Sequence, residues 1–293
     1  MAPFNLRHWQ ERDRVKARIL VPFTLLLFFV IGGFLTTAYF SEQRDHEEYL
    51  SESIKAVERL VLQRLENDSS LLHATMASIV NSSDLQEAFE NRDREELLRR
   101  AKPLFEILRD DHHITHFYFS DIDKVNFLRV HQPSRHSDVI DRITMLRAVY
   151  SGESARGIEL GPLGTLTLRV VTPWIINGRI VGYIELGEEI EHISIDIHRI
   201  LNINLLVLVY KKLLNPQSWK EGMEMLGHAD DWQRFPSSVV VGQSMDVIPS
   251  ALEAVLQRPD HQNNAVLQLK EAGKPLHVAF LPLRDVAGQE VGE

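Results

Sequence analysis

Between Ile19 and Phe40 the chain reads ILVPFTLLLFFVIGGFLTTAYF, 22 residues without a charge. A run of that length has no polar face to offer water. As a helix it is about 33 Å long, and the hydrocarbon core of a bilayer is about 30 Å thick. The segment is expected to cross a membrane. Arg7, Arg12, Arg14, Lys16 and Arg18 precede it and SEQRDHEEY follows. The positive-inside bias therefore leaves residues 1–18 in the cytoplasm and sends everything after Phe40 to the other side. A cleaved signal peptide is the competing reading, with small residues at Thr36–Ala38. Its apolar region is usually no longer than about 15 residues, so an uncleaved anchor over residues 19–40 is preferred.

Charge and cysteine content narrow the function. Residues 1–40 carry five Lys or Arg and two Asp or Glu, so 27 basic and 39 acidic side chains remain beyond them. That is a net of −12, against −9 for the whole chain. A surface of that sign does not suit nucleic acid or anionic lipid. With no cysteine there is no disulfide, no thiolate metal site and no thiol nucleophile. No nucleophile elbow, His-Glu-x-x-His pair or phosphate-cradling glycine loop occurs, so neither an enzyme nor a cofactor is expected within these residues.

From 41 to 80 the pattern is helical. Ile54, Val57, Val61, Leu65, Leu72, Met76 and Ile79 recur at spacings of three, four or seven, with Asp68 interrupting the stripe. A stalk helix leaving the membrane is expected, packed along its own domain or paired with a second copy in a homodimer. NSSD (81–84) ends it, and helical pattern resumes over 93–111, where Pro103 is a possible kink. Strands are expected at 114–120 and 125–131 around the turn DIDK. A helix follows at 142–152, ending on Gly152. Further strands fall at 157–160, 165–175 and 179–187, the last two joined at Asn177–Gly178, a strong hairpin signal. A second unit follows the helix at 188–201, with strands at 204–210 and 237–243 and helices at 216–227 and 249–257. The strands 265–271 and 274–284 close it. TPWIINGRIVGY (172–183) is echoed by LPLRDVAGQEVGE (281–293), with Pro173 against Pro282 and Gly178 against Gly288. On that echo the chain breaks off in its last hairpin, and a second membrane helix and a cytoplasmic output module are expected beyond Glu293.

FLRVHQPSRHSDVIDRITM, followed by GIELGPLGTLTLRVVTPWIINGRIVGYIELGEEI, resembles the double Cache extracytoplasmic sensor regions of bacterial two-component sensor kinases, diguanylate cyclases and chemoreceptors. The likeness is strongest over 112–192, and the architecture extends it over 41–293. It implies an α+β fold: an N-terminal transmembrane helix, a long stalk helix and two tandem PAS-like antiparallel-sheet subdomains. The expected subdomains are residues 81–192, membrane-distal, and residues 193–293, membrane-proximal and truncated. The implied place is the bacterial inner membrane, with 41–293 in the periplasm or outside the cell. The chain departs from the family pattern at Ser137, where glycine is usual, at Ile143–Thr144 in place of a Phe-Arg pair, and at Pro162 in place of Arg. The usual ligand set is thus altered, and no ligand identity carries over.

Strand alternation gathers a candidate site. Arg129 and His131 share one face of their strand, and His116 and Tyr118 share a face of the preceding one. With Arg135 they offer guanidinium, imidazole and phenol groups suited to a small anionic or zwitterionic metabolite. Arg169 joins from a later strand. Trp174, opposite Arg169 by strict alternation, joins only if Pro173 bulges the strand. The plain alternative is structural, with Arg129 paired to Glu185 or Asp138. A His-based metal site drawn from His112, His113, His116, His131, His136 and Asp138 is a further reading, disfavoured by Arg129 and Arg135. Glu188, Glu189 and Glu191 are expected only to complement a helix dipole. The second unit is expected to transmit rather than bind, and a membrane-anchored scaffold without a ligand is the alternative for the whole chain.

Overall fold

A computed structural model describes residues 7–161, 163–227, 229–258 and 266–293. The chain divides into two compact units, one up to Ala56 and the other from Val57 to Glu293. Helix α1 (Arg7–Val80) contributes to both, so the expected anchor and stalk are one unbroken helix.

In the first unit the apolar stretch is Pro22–Ser41, with a mean hydropathy of 2.0. Its large side chains are bare: Phe28 is 74% and Phe29 80% exposed. By length and composition the stretch is able to cross a membrane. The polar groups inside the stretch are satisfied locally. Thr36 Oγ1 donates to the Gly32 carbonyl at 2.7 Å and Thr37 Oγ1 to that of Gly33 at 2.8 Å.

The second unit is α+β. From Val57 onward α1 buries Val57, Leu72, Met76 and Ile79, so the heptad-like stripe is a core stripe here. A short helix the periodicity does not reveal, α2 (Ser83–Glu90), buries Leu85, Ala88 and Phe89. In α3 (Arg94–His112) the Asp93 carboxylate caps the first turn by accepting from Glu96 N–H at 2.9 Å, and Pro103 does not end the helix. Strands β1 (Ile114–Asp121) and β2 (Asn126–Arg129), helix α4 (Ile143–Ser151), and strands β3 (Ala155–Leu160), β4 (Leu166–Ile176) and β5 (Arg179–Glu189) follow. They build a five-stranded antiparallel sheet in the order β2-β1-β5-β4-β3. The β4–β5 turn uses Asn177 at φ 51° and Gly178 at φ 75°, the positive-φ pair of a type I′ hairpin.

One face of this sheet carries Phe117, Phe119, Leu128, Val170, Trp174, Ile184 and Leu186 against α1, α2 and α3. The other carries the polar side chains, and beside them a small second core of Ile140, Met145, Ala148, Val171 and Tyr183. Past β2 the chain turns back along the sheet edge. Asn126 N–H donates to the Asp138 carbonyl and Ser137 N–H to that of Asn126, both at 2.8 Å. Ser137 takes φ 71° to make that return, which explains why glycine suits the position.

Helix α5 (Glu191–Leu201) leads to β6 (Leu206–Tyr210), α6 (Pro216–Leu226), β7 (Ser238–Gln243), α7 (Ser250–Leu256), the hairpin β8 (Val266–Glu271)–β9 (Lys274–Ala279), β10 (Leu283–Arg284) and β11 (Glu290–Gly292). The second sheet runs β10-β11-β6-β7, so β11 lies beside β6 as β5 lies beside β1. The echo of 172–183 in 281–293 is thus a hairpin in each sheet, with Gly288 at φ 80°. The strand expected over 274–284 is two strands in two sheets, parted at Phe280–Pro282, where proline supplies no ladder donor. The tip of the last hairpin meets the first sheet. Val286 N–H donates to the outward carbonyl of Ile158 on edge strand β3 at 2.8 Å, and Arg147 donates to the Val286 carbonyl at 2.9 Å.

Candidate functional site

The polar face of the first sheet is ordered by register. Tyr118 pairs with Arg129 on one side and Glu185 on the other, and Glu185 pairs with Val171. In the next row His116 lies opposite Gly187, and Gly187 opposite Arg169. A Cβ on Gly187 would stand 2.9 Å from Thr167 Cγ2 and 3.1 Å from His116 Cβ, so glycine there lets His116 and Arg169 approach across the strand between them. His131, two residues past β2, brings its ring to 4.9 Å from that of His116 and 4.8 Å from that of Tyr118.

Above this face lies a cavity of about 270 Å³. Its wall includes Arg129, His131, Tyr118, His116, Arg135 and Arg169, six of the seven residues singled out from sequence. Trp174 is not among them, which corrects the expectation. The register shift in β4 falls between Trp174 and Ile175, one residue too late to rotate the indole. Trp174 stays on the helix face, 4.8 Å from the Phe89 ring, and donates from Nε1 to the Val80 carbonyl at 3.0 Å.

Charge pairing on the site is close. Arg129 donates to both carboxylate oxygens of Asp138, at 2.8 and 2.5 Å, and to the Arg135 carbonyl at 2.7 Å. Of the two structural partners weighed for Arg129, Asp138 is the one it takes. Glu185, with no exposed surface, instead accepts from Arg169 at 2.6 Å and from Arg142 at 2.6 Å to each oxygen. Burial alone would raise the Glu185 carboxyl, but the two guanidinium groups outweigh it and hold it below its ordinary value. Glu159 completes the cluster, 3.6 Å from Arg169 and 3.8 Å from Arg142, and accepts from the Thr144 amide at 2.8 Å. Arg129 and Arg142 lie over the Tyr118 ring at 5.2 and 5.0 Å from its centroid.

The two histidines are held neutral here. Burial, with Arg129 next, lowers His131 to about 4, and burial with Arg169 depresses His116 well below its ordinary value. His131 Nδ1 accepts from the Phe117 amide at 3.2 Å, so the ring proton sits on Nε2. Arg135 stands exposed at the mouth, without an ion-pair partner among the described residues. The cluster residues not singled out from sequence are Arg142 and Glu159, and Glu185 enters there only as a structural partner weighed for Arg129. Arg142 occupies the N-cap position of α4, where only a helix start was visible.

The histidines grouped from sequence do not gather. His116 and His131 face the arginines, while His113 stacks on the ring of His192 at 5.1 Å.

Residues 47–293 match the family described as the double sensory domain of two-component sensor kinases. No curated protein sequence matches. Among solved structures the chain is similar to the sensor domain of the Vibrio cholerae histidine kinase DctB, at 13% identity and a TM-score of 0.45, over 76% of this chain and 85% of that one. It is also similar to the periplasmic domain of Vibrio cholerae LuxQ, at 14% identity and a TM-score of 0.43, over 75% and 94%. The ligand-binding domain of the Campylobacter jejuni chemoreceptor Tlp3, solved with 4-methylisoleucine, shows 11% identity and a TM-score of 0.41, over 76% and 81%. On the match over residues 47–293, the chain belongs to the double Cache sensory domains of two-component sensor kinases.

Proposed function

We propose that residues 41–293 are the extracytoplasmic sensing region of a bacterial transmembrane receptor, held in the inner membrane by the apolar part of α1. The cavity over the first sheet takes a small anionic or zwitterionic metabolite. The observation that supports this is the donor-rich wall. Arg129, Arg135, Arg142 and Arg169 line one cavity with Tyr118 and His131, whose proton is on Nε2, and Asp138, held by Arg129 in the free protein, can take an ammonium group once Arg129 leaves it. A ligand carboxylate that draws Arg129 from Asp138 would release the 130–142 segment at the sheet edge. Only such a difference between bound and free arrangements can signal. Residues 81–192 then bind and 193–293 transmit, with α1 pairing two copies into a homodimer.

One observation favours a second reading, a scaffold with no small ligand. Each of Arg129, Arg142 and Arg169 already has a carboxylate partner at 2.5 or 2.6 Å. A thermal-shift screen of the full chain in detergent, against carboxylates, amino acids, phosphonates and amines, separates the two. The sensor reading expects a hit that is lost in Arg135→Ala and in Arg129→Ala. A folded protein that responds to none of these classes supports the scaffold.

A further inference from the structure

Asp68, Glu188 and His192 form a cluster away from that cavity, and each comes from a different element. Asp68 is the acid that interrupts the apolar stripe of α1, Glu188 lies near the end of β5, and His192 opens α5. Asp68 is 5% and Glu188 3% exposed. One ligand atom from each lies within 4.8 Å of the other two.

The contacts inside the cluster are not those of a finished hydrogen-bond network. His192 Nε2 is 3.1 Å from Glu188 Oε1 and 3.6 Å from Asp68 Oδ2; both Nε2 and Oδ2 are buried and neither meets hydrogen-bond geometry, Oδ2 having the Arg64 guanidinium as an ion-pair partner at 3.0 Å. Buried polar atoms left so are rare and ask for an occupant. The other ring nitrogen is committed. Nδ1 lies 2.9 Å from the Glu189 carbonyl, and only as the N–H donor can it bond to a carbonyl. A neutral ring would point its Nε2 lone pair at two carboxylates, so the arrangement needs a cation there, either a proton or a metal ion. A backbone carbonyl fixing the far nitrogen is the usual support of a metal-binding imidazole. The His113 ring, stacked 20° from parallel, fixes the ring plane as well.

Charge counting agrees. Among the described residues the neighbouring guanidinium is Arg64, whose Nε lies 3.0 Å from Asp68 Oδ2 and which also reaches Asp196 at 3.5 Å. Burial lowers His192, but Asp68 and Glu188 outweigh it and hold the ring above its ordinary value, so without a metal a proton is the second cation. Two buried carboxylates thus draw a cation to the imidazole between them, and a divalent ion can take the place of that proton. Burial, with Asp68 next, accordingly raises Glu188 to about 7. The spacing fits a small ion. With metal–ligand bonds of about 2.0–2.1 Å, neighbouring ligands of a tetrahedral zinc stand roughly 3.3 Å apart, between the two distances found here.

We propose that Asp68, Glu188 and His192 bind one divalent transition-metal ion, with zinc the best fit, and that the ion ties α1 to the junction of β5 and α5. One imidazole with two carboxylates suits such an ion better than magnesium or calcium, which take oxygen ligands. The fourth position is left to water or a further donor. The site shares no residue with the cavity over the first sheet, so it stands or falls independently of a metabolite ligand.

The test is titration of the full chain in detergent after chelation, with Zn²⁺ followed by calorimetry and Co²⁺ by its visible spectrum. The expected result is one ion per chain, a tetrahedral Co²⁺ spectrum, and affinity at least about tenfold weaker in His192→Ala and in Glu188→Gln. His73→Ala, an exposed histidine of the same helix, should change nothing. Should His192→Ala fail to fold, the near-isosteric Glu188→Gln keeps the question open to decision: Zn²⁺ must raise the melting temperature of the parent and not of that variant. Absence of binding, binding that survives Glu188→Gln and His192→Ala, or equal loss in His73→Ala would overturn the proposal and leave a proton as the cluster's cation.

Discussion

Replacing Glu185 by glutamine tests the electrostatic floor of the cavity. Glu185 is fully buried and accepts three hydrogen bonds of 2.6 Å from Arg142 and Arg169. The substitution keeps the shape and removes the charge. Two guanidinium groups then share Glu159 alone, at 3.6 and 3.8 Å. Breaking a buried ion pair from one side costs about 3–5 kcal/mol, and the retained amide oxygen places this case near about 3. For a unit of this size that is a fall in melting temperature of about 6–12 °C. Arg169→Met should cost a similar amount. The double change Glu185→Gln with Arg169→Met restores the balance, leaving Arg142 with Glu159, and should cost at least about 2 kcal/mol less than the sum of the singles. Urea unfolding of the full chain, read by tryptophan fluorescence, measures all three. Additive costs, or a Glu185→Gln cost under about 1 kcal/mol, would show that the cluster is solvated and that the argument from burial is wrong.

His131 should titrate near 4 instead of 6.5, visible as an imidazole NMR signal unchanged between pH 8 and 5.5. The unfolded ring takes up a proton on acidification before the folded one does, so the parent loses stability relative to His131→Gln as pH falls from about 6.5 to 4. The full difference is about 3 kcal/mol, and a flat difference would refute the shift. Trp174→Phe removes the donor to the Val80 carbonyl at the end of α1 and should destabilise the fold by about 1–3 kcal/mol without weakening a ligand found in the screen; a loss of ligand affinity would return Trp174 to the site. Gly182→Ala places a Cβ 2.3 Å from the Ser120 carbonyl oxygen on the neighbouring strand, so a clear drop in melting temperature is expected. In a chain without cysteine, Leu62→Cys, at an exposed position of α1, should form a disulfide-linked dimer on mild oxidation if α1 pairs two copies; a purely monomeric product speaks against that pairing.

The elements with strong local signals were legible. The uncharged run, the Asn-Gly turn and the alternation in 114–120 each depend on neighbours in sequence, and each sits in the structure as expected. Alternation alone also put Arg129, His131, His116 and Tyr118 on a common face. What it missed is informative. Glu185 sits in the apolar run YIELG, and its side follows from counting back from the Asn177–Gly178 turn, where the hairpin sets it opposite Val171 and diagonal to Arg169. The count needs the one-residue bulge after Trp174, which no local signal marks. The same bulge decided Trp174, because Pro173 bends nothing before the indole is already committed to the helix face. Arg142 belongs to the returning edge segment, whose path depends on the left-handed turn at Ser137, a conformation a serine does not advertise. Asp138, on the same segment, enters the sequence reading only as one of two partners weighed for Arg129 and as a possible metal ligand. Asp68 was visible as an interruption of a stripe, but its partners lie 120 or more residues away.

The contact between the tip of the last hairpin and β3 has a consequence for biosynthesis. Strand β3 is an edge, and its outward carbonyl at Ile158 is met by Val286, 128 positions later in the chain. On a ribosome adding about 5–20 residues each second, that edge emerges several seconds before its cover is made. For that interval the nascent five-stranded sheet carries an open margin able to pair with a neighbouring polypeptide. Until residue 286 arrives to close the seam, identical unfinished sheets can meet at that margin, so the last hairpin shields the first sheet as well as completing its own.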